Sequence, residues 1–499
     1  MAEKFFWADQ IADEIIKEKG NKKQYICASG ITPSGTIHIG NFREVITTDL
    51  VARALRNKGK NVRFLYSWDD YDRFRKVPKN VPEEYEKYVG MPLSEFISPF
   101  DKKLSYAEYF EKEFEESLKK VGINPDFIRQ NVMNKKCKYT ELIKTALEKK
   151  DDIVRILNKY RREPLKNDWW PIAIYCEECK KDSTKITSVK GYEIEYECLC
   201  GHKNKIDYRK KGIVSVKWRV DWPMRWKYEN VDYEPGGIDH SVHGGSLTTS
   251  KEIVKEVFDY ETPIYTFYDW VRIKGGKEFS SSSGNAVSLD DVEKVYEPEV
   301  LRYIFVSTRP NKGFQISFDN DIIKIYEDYD DLEHRYFEGI VNPQEKRVYE
   351  LSQVSPEKIP EKKPERMSFR HLITLVQTEK TKELNLHSKK RAEKVKNWLE
   401  KHAGPDMTFE VQKEIKKELT DPEKQALIML KESLATKKFN EEELFNEFYN
   451  ICQATEIKPK EFFQTAYEIL IDKPRGPRLA SLILSIGEGN VVKLLEKIK

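Results

Sequence analysis

Residues 24–54 constrain the fold more than any other stretch of the chain. A β-rich run, Gln24 to Ser29, feeds a Pro33-Ser34-Gly35 turn, and the turn delivers His38-Ile39-Gly40-Asn41 to the start of an amphipathic helix. Phe42, Val45, Ile46, Leu50 and Ala54 fall at helical spacing along it. A strand, a glycine turn and a helix N-terminus together make an anion site, because free backbone N–H groups and the positive dipole end face one point. His38 and Asn41 add side-chain donors at one edge of that site, and Gly40, lacking a Cβ, lets a flat base or ribose approach the backbone. A histidine merely satisfied within a strand-to-helix turn is the plainer alternative, and the rest of the sequence decides between them.

A chain of 499 residues has room for two to four domains. Its formal charge is only +3 although 34% of its residues are charged, which fits a soluble intracellular protein and neither requires nor excludes a nucleic-acid partner. Met1 to Lys19 mixes charges with apolar residues at helical spacing, so no signal peptide is expected. No apolar run approaches the ~20 residues of a membrane span, so no membrane partner is expected either. Seven cysteines, four of them clustered, point to a metal site in a reducing cytoplasm rather than to a disulfide framework.

Up to about residue 310 apolar strand-like runs alternate with helical patterns, the mark of a parallel α/β sheet. The predicted strands are Tyr25 to Ser29, Val62 to Ser67, Ile213 to Trp218 and Ile264 to Trp270; predicted helices include Phe42 to Asn57, Thr248 to Phe258 and Asp290 to Tyr296. The long charged stretch from Val81 to Arg209 reads as a domain inserted into that sheet. From Ile322 onward amphipathic helices take over, with Thr420-Asp421-Pro422 as one helix start, and Ser352 to Arg366 reads as a linker or exposed loop.

Three further constellations carry chemistry. Lys277-Glu278-Phe279 followed by Ser280, Ser281, Ser282 and Ser283 and closed by Gly284-Asn285, with Lys274-Gly275-Gly276 before it, forms a loop of hydroxyl and backbone donors that could fold over a polyphosphate. A plain Ser/Gly connector is the alternative. Gly236-Gly237-Ile238-Asp239-His240, with His243-Gly244-Gly245-Ser246 after it, permits close backbone approach and places a carboxylate to accept from a ribose diol, or else offers Asp239, His240 and His243 to a metal. Cys176-x-x-Cys179 and, eighteen residues on, Cys198-Leu199-Cys200-Gly201-His202 match a closed structural Zn²⁺ site, with His202 able to stand in for Cys200 and a redox dithiol as the rival. Cys27, Cys137 and Cys452 sit in apolar patterns and read as inert core residues.

In this order, His-Ile-Gly-Asn, Gly-x-Asp-His and a Ser-rich loop ahead of a helical C-terminal third, the chain resembles a class I aminoacyl-tRNA synthetase. Within that class it is most similar to the class I lysyl-tRNA synthetases, through Gly30 to Glu44, Trp68-Asp69-Asp70-Tyr71-Asp72 with Arg75-Lys76-Val77-Pro78, Val220 to Trp226, Gly236 to Ser246 and Arg475-Gly476-Pro477-Arg478-Leu479. The class-wide tetrad ends in His where Asn41 stands here. The class loop Lys-Met-Ser-Lys-Ser aligns with Glu278 to Ser282, so neither of its lysines is in place, and Lys277, Lys274 and Mg²⁺ are the nearest substitutes.

The resemblance implies a Rossmann-type catalytic domain in two halves (1–80 and 211–320), a zinc-containing insertion (81–210) and an all-α anticodon-binding domain (321–499). It implies ATP, L-lysine and tRNA(Lys) as substrates: the lysine carboxylate attacks the α-phosphate, pyrophosphate leaves, and the terminal ribose 2′-OH of the tRNA then takes the lysyl group from the adenylate. His38 and Asn41 would meet phosphate oxygens, with Lys277 and Ser280 to Ser282 on the departing pyrophosphate. Pro33, Gly40, Gly237, Asp239 and His240 would surround ATP. Gly30 and Thr32 would edge the lysine pocket and Trp222, His243 and Tyr268 line it, with one of these aromatic faces, or else Asp70 or Asp221, meeting the ammonium. Lys389-Lys390-Arg391, Lys473-Pro474-Arg475 and Arg478 could meet tRNA phosphates, and Trp398 could stack a base. A glutamyl enzyme, with Arg225 or Arg43 receiving the substrate carboxylate, a cysteinyl enzyme needing an open zinc site, and a non-catalytic tRNA-binding paralogue are the competing readings.

Overall fold

A computed structural model describes residues 6–275 and 286–498. Its centre is a five-stranded parallel sheet of β1 (Tyr25–Ile31), β2 (Val62–Trp68), β3 (Asp126–Arg129), β4 (Tyr233–Gly237) and β5 (Ile264–Tyr268), in the spatial order β5-β4-β1-β2-β3. Tyr25 pairs with Val62 and Ile31 with Trp68, Cys27 with Tyr233, and Ile264 with Tyr233. The first five residues of β1 are buried and read as a continuous apolar run, as a strand covered on both faces should. The strand order reverses between β1 and β4, and in such sheets the crevice beyond the carboxyl ends at the reversal is where ligands bind.

Two strands differ from the sequence expectation. Val214–Val216 leaves the parallel sheet and pairs antiparallel with Ile172–Ile174. Its place is taken by β4, whose Tyr-Glu-Pro-Gly-Gly sequence has no strand propensity and is held by its neighbours β1 and β5. The short edge strand β3 is half-exposed, so no apolar run announces it.

Helix α1 (Ile39–Asn57) follows the Pro/Gly turn and is buried nearly all round, polar residues included. Asp49 accepts from Arg53 Nε at 2.9 Å and from Arg302 Nη2 at 2.7 Å, and Arg302 is fully buried. The remaining guanidinium donors reach main-chain carbonyls: Arg302 those of Val121 and Leu351, Arg53 those of Gly122, Gln353 and Val354. Burial alone would raise the Asp49 pKa, but the two guanidinia outweigh it and hold the carboxyl below its ordinary value.

Chain contacts divide the protein into two compact units. The first is built around the parallel sheet and also takes in Pro298–Ile316 and Ile340–Ile359. Within it, the segment between β3 and β4 carries its own core, including Ile153, Ile156, Ile194, Tyr196 and Val214, and a three-stranded antiparallel sheet of Thr184–Lys190, Glu193–Cys198 and Lys203–Asp207. The second unit comprises Lys294–Glu297, Ser317–Gly339 and the chain from Pro360 onward, and is helical. Thr420 caps its helix Asp421–Thr436 in a reciprocal box with Glu423. Leu427, Leu430, Leu444, Phe448, Phe462 and Ile483 are among its core residues. No helix among the described residues is long and apolar enough to cross a membrane.

The fold withdraws two residues expected on a nucleic-acid face. Trp398 is fully buried and donates Nε1–H to the Phe318 carbonyl, and Arg391 is fully buried between Glu297 and Asp330. Cys27 and Cys452 are buried as expected, whereas Cys137 is only half-buried and adopts a positive φ of 52°.

Asp49→Asn would leave two buried guanidinia facing each other without their anion. Urea unfolding of this variant should show a loss of about 3–5 kcal/mol. The lowered Asp49 pKa makes its share of stability complete above the unfolded carboxyl value, about pH 4, and lost as pH falls through the still lower folded value. An unchanged midpoint in the variant would exclude this cluster as a tie within the first unit.

Candidate active site

A cavity of about 740 Å³ opens beyond the carboxyl ends of β1, β4 and β5. Of the residues singled out from the sequence, Gly30, Thr32, His38, Gly40, Asn41, Gly237, Asp239, His240 and Tyr268 all line it. Pro33, Asp70, Trp222 and His243 are not part of its wall. Lys277, Ser280, Ser281 and Ser282 lie outside the described residues.

The cavity wall includes Glu44 on α1, a residue quoted in the sequence motif above but given no role there. One of its carboxylate oxygens accepts the Gly30 N–H at 3.0 Å and the other accepts the Tyr268 hydroxyl at 2.7 Å. Burial pushes its pKa up to about 8; the two hydrogen bonds oppose that rise, and Glu234 and Asp69 add to it. A glutamate among Phe42, Val45 and Ile46, on the apolar side of a helix, is the signal that could have found it. At Gly30 a Cβ would lie 2.7 Å from the Ser67 carbonyl, so β1 can end against β2 only with glycine here.

His38 opens α1, and its N–H donates to Asn41 Oδ1 at 3.2 Å. Burial lowers the imidazole pKa to about 4, so the ring is neutral at pH 7 and offers a hydrogen bond rather than a charge. Gly40 makes room for that ring: a Cβ there would sit 2.8 Å from His38 Nδ1. Thr32 donates its hydroxyl to Asp72 at 2.8 Å, and burial together with Asp69 raises the Asp72 pKa. His240 Nδ1 lies 2.8 Å from the Ser246 hydroxyl, while the Asp239 side chain is half exposed at the mouth. The cations on the described wall are Arg75 and Arg272, not lysines.

The other carboxylates considered for a substrate ammonium have different partners. Asp70 accepts the Asn131 N–H at 2.7 Å away from the cavity, and burial followed by repulsion from Glu111 raises its pKa to about 8. Asp221 pairs with Arg225 Nε at 2.9 Å. Arg225 also holds Asp69 at 2.6 Å and the Ser67 hydroxyl at 2.7 Å. Arg43 is buried and donates to the main-chain carbonyls of Phe305, Thr308, Arg309 and Lys312. Both arginines that a carboxylate-bearing substrate would require are thus engaged within the protein. Trp222 is buried under Trp218, their rings 5.2 Å apart and nearly parallel, and lines a small adjoining hollow with Gly30, Asp69 and Arg225. His243 sits apart, its ring 5.6 Å from that of Tyr160.

In the insertion, Cys176, Cys179, Cys198 and Cys200 bring their sulfurs within 4.8 Å of one another. Cys176 and Cys200 are 3.7 Å apart and Cys179 and Cys198 3.6 Å. A tetrahedron with metal–sulfur bonds of about 2.3 Å has edges of about 3.8 Å, close to these two distances, so the four thiols are grouped as a metal site requires. His202 is outside this group.

The chain is similar to the lysine–tRNA ligase of Borreliella burgdorferi, at 44% identity over 98% of this chain and 99% of that protein. It is similar at 42% identity, with the same coverage, to the lysine–tRNA ligase of Pyrococcus horikoshii. Among solved structures, a glutamate tRNA ligase from Elizabethkingia meningosepticum in complex with its amino acid superposes with a TM-score of 0.50 at 13% identity, over 96% of this chain and 100% of that one, which bears on the fold alone. The family model for tRNA synthetases class I (K) matches residues 5–355, and with the sheet, the cavity and these relatives it places the chain in that family.

Proposed function

We propose that the protein attaches L-lysine to tRNA(Lys) at the expense of ATP. The observation that carries the substrate choice is Glu44, a buried carboxylate facing the cavity while Arg225 and Arg43 are engaged elsewhere. A lysine ammonium brought to Glu44, beside the Tyr268 hydroxyl, would favour the charged form of the acid; a glutamate side chain would push that pKa higher still and gain no counter-charge from it. Gly30 and Thr32 edge this pocket in our reading. Trp222 supports it from below, and Asp70, Asp221 and His243 have no direct part.

The chemistry needs no protein nucleophile. The lysine carboxylate oxygen attacks the α-phosphorus, the bond to the bridging oxygen breaks, and pyrophosphate leaves. The ribose 2′-OH of the tRNA then attacks the lysyl carbonyl and AMP departs. Catalysis is alignment plus stabilisation of phosphate charge. Neutral His38 and Asn41 donate hydrogen bonds to phosphate oxygens, Gly237 and Asp239 take the ribose, and Gly40 and His240 shape the space around the nucleotide, while Pro33 only turns the chain toward His38. Arg75 and Arg272, together with Lys277 and Ser280 to Ser282 of the Ser-rich sequence, serve the departing phosphates, and Mg²⁺ accompanies ATP as counter-charge. The four cysteines hold Zn²⁺ as a structural ion of the insertion. The helical second unit receives the anticodon arm, where exposed Phe445 and Tyr449 are better placed to stack a base than buried Trp398. Thiols kept as metal ligands suit the cytoplasm.

Amino-acid-dependent ATP–pyrophosphate exchange, run with all twenty amino acids in the presence and absence of tRNA, tests the assignment. Lysine alone should support exchange. Exchange with glutamate would overturn the reading of Glu44, and tRNA binding without any exchange would make the chain a binding paralogue. For the metal, Cys179→Ser together with Cys198→Ser should abolish the bound zinc found by elemental analysis and lower the thermal midpoint. A stripped protein whose insertion keeps its fold would contradict the structural role.

A further inference from the structure

Four buried side chains form a continuous line of hydrogen bonds from the core of the insertion to the wall of the main cavity. Tyr139, in that core, donates its hydroxyl to Gln130 Oε1 at 2.9 Å. Gln130 Nε2 donates to the Ser67 hydroxyl at 2.9 Å, and Ser67 donates to Asp69 Oδ1 at 3.0 Å. Asp69, itself buried, lines the cavity. Arg225 Nη1 spans the last link, reaching the Ser67 hydroxyl at 2.7 Å and Asp69 Oδ1 at 2.6 Å.

The protons available give this line a direction. Gln130 and Arg225 both donate to the Ser67 oxygen and occupy its lone pairs, so its single proton goes to Asp69. With the Gln130 amide turned over, the amide oxygen would draw the Ser67 proton away from Asp69, and the amide nitrogen would face the Tyr139 oxygen. The buried phenol proton would then lack an acceptor, and an unsatisfied buried donor is costly. Burial holds the Tyr139 pKa far above its ordinary value, so the phenol keeps that proton. Tyr139 thus decides which way the amide faces.

Packing alone does not fix Asp69. A hollow of about 40 Å³ lies against Ser67, Asp69, Gln130 and Arg225, so a carboxylate released by Ser67 has space to turn, and Arg225 is shared with Asp221. The pocket proposed for lysine is adjacent. A Cβ on Gly30, whose N–H holds Glu44, would lie 2.9 Å from Ser67 Cβ, and Asp69 acts electrostatically on Glu44 itself.

We propose that Tyr139 is a positioning residue for the amino acid: through Gln130 and Ser67 it sets the placement of Asp69 near Glu44, and with it the affinity for lysine, without touching the substrate. The inference rests on the lysine reading and deepens it by tying the amino-acid pocket to the insertion. Gln130 and Tyr139 both follow β3, so a segment outside the parallel sheet bears on the activation step.

Steady-state ATP–pyrophosphate exchange without tRNA, with lysine Kd by calorimetry beside it, tests this on Tyr139→Phe, Ser67→Ala and the double variant. Tyr208→Phe is the control, since Tyr208 is buried in the same core and its hydroxyl donates to the Gly191 carbonyl instead. Tyr139→Phe should raise the lysine KM and Kd about fivefold while kcat and the ATP KM stay native, the pattern of a lost ground-state contact. Ser67→Ala should do at least as much, and the double variant no more than Ser67→Ala, because both changes act through the bond from Ser67 to Asp69. Tyr208→Phe should keep the native lysine KM whatever its thermal midpoint. A native lysine KM and Kd in Tyr139→Phe, effects that multiply in the double variant, or an equal rise in Tyr208→Phe would overturn the proposal. A native protein that exchanges with another amino acid and not with lysine would instead overturn the lysine reading, and the proposal with it; lysine exchange that is native-like in Tyr139→Phe removes the positioning role alone.

Discussion

The site depends on one carboxylate held where three elements of the sheet domain meet. Glu44 reaches from α1 to the end of β1 through the Gly30 N–H and to the end of β5 through the Tyr268 hydroxyl. These strands flank β4, so the contact spans the point where the strand order reverses. An acid enclosed in that place is costly as an anion, and burial raises its pKa accordingly. Two hydrogen bonds offset part of it, and a cationic substrate would offset more. In the proposed reading the same side chain joins the strands at the cavity and sets its preference for a cation.

Around it the protein keeps its own charges paired. Arg225 is committed to Asp69 and Asp221, Arg43 to main-chain carbonyls, and Arg302 and Arg53 to Asp49. Removing one member of such a pair is far more damaging than the pair is stabilising, so these contacts act as constraints on geometry. Among the described residues the cations on the cavity wall are Arg75 and Arg272, and the histidine at the head of α1 is uncharged. In the proposed reading phosphate binding combines guanidinium charge with neutral and backbone donors, in keeping with a sequence that lacks the lysines of the class loop.

The features legible in the sequence were those with a local signal. The strand, turn and helix of residues 24–57, the knuckle cysteines and the change to helices after residue 320 all announce themselves through periodicity, spacing or punctuation. Most of the nominated cavity residues are brought together because they sit at strand ends and a helix start, positions that a motif fixes. What escaped was set by tertiary contact. Strand β4 has the sequence of a turn and is a strand because its neighbours pair with it. Val214–Val216 has the sequence of a core strand and pairs elsewhere. Asp70 and Asp221 were as plausible as Glu44 by residue type, and only the direction of each side chain separates them. Trp398 and Arg391 looked like an RNA surface until packing placed them inside.

The most direct test of this account is the affinity for lysine relative to norleucine, its neutral counterpart without the ammonium, measured by calorimetry on the native protein and on Glu44→Gln. The native protein should prefer lysine by roughly a hundredfold, in line with the ~1.5–3 kcal/mol of a hydrogen bond to a charged group and the penalty for an acid left unpaired. In the variant the preference should fall to near unity while ATP is bound as before. A variant that still prefers lysine a hundredfold would contradict the assignment of Glu44 and move the ammonium site to another carboxylate of the cavity.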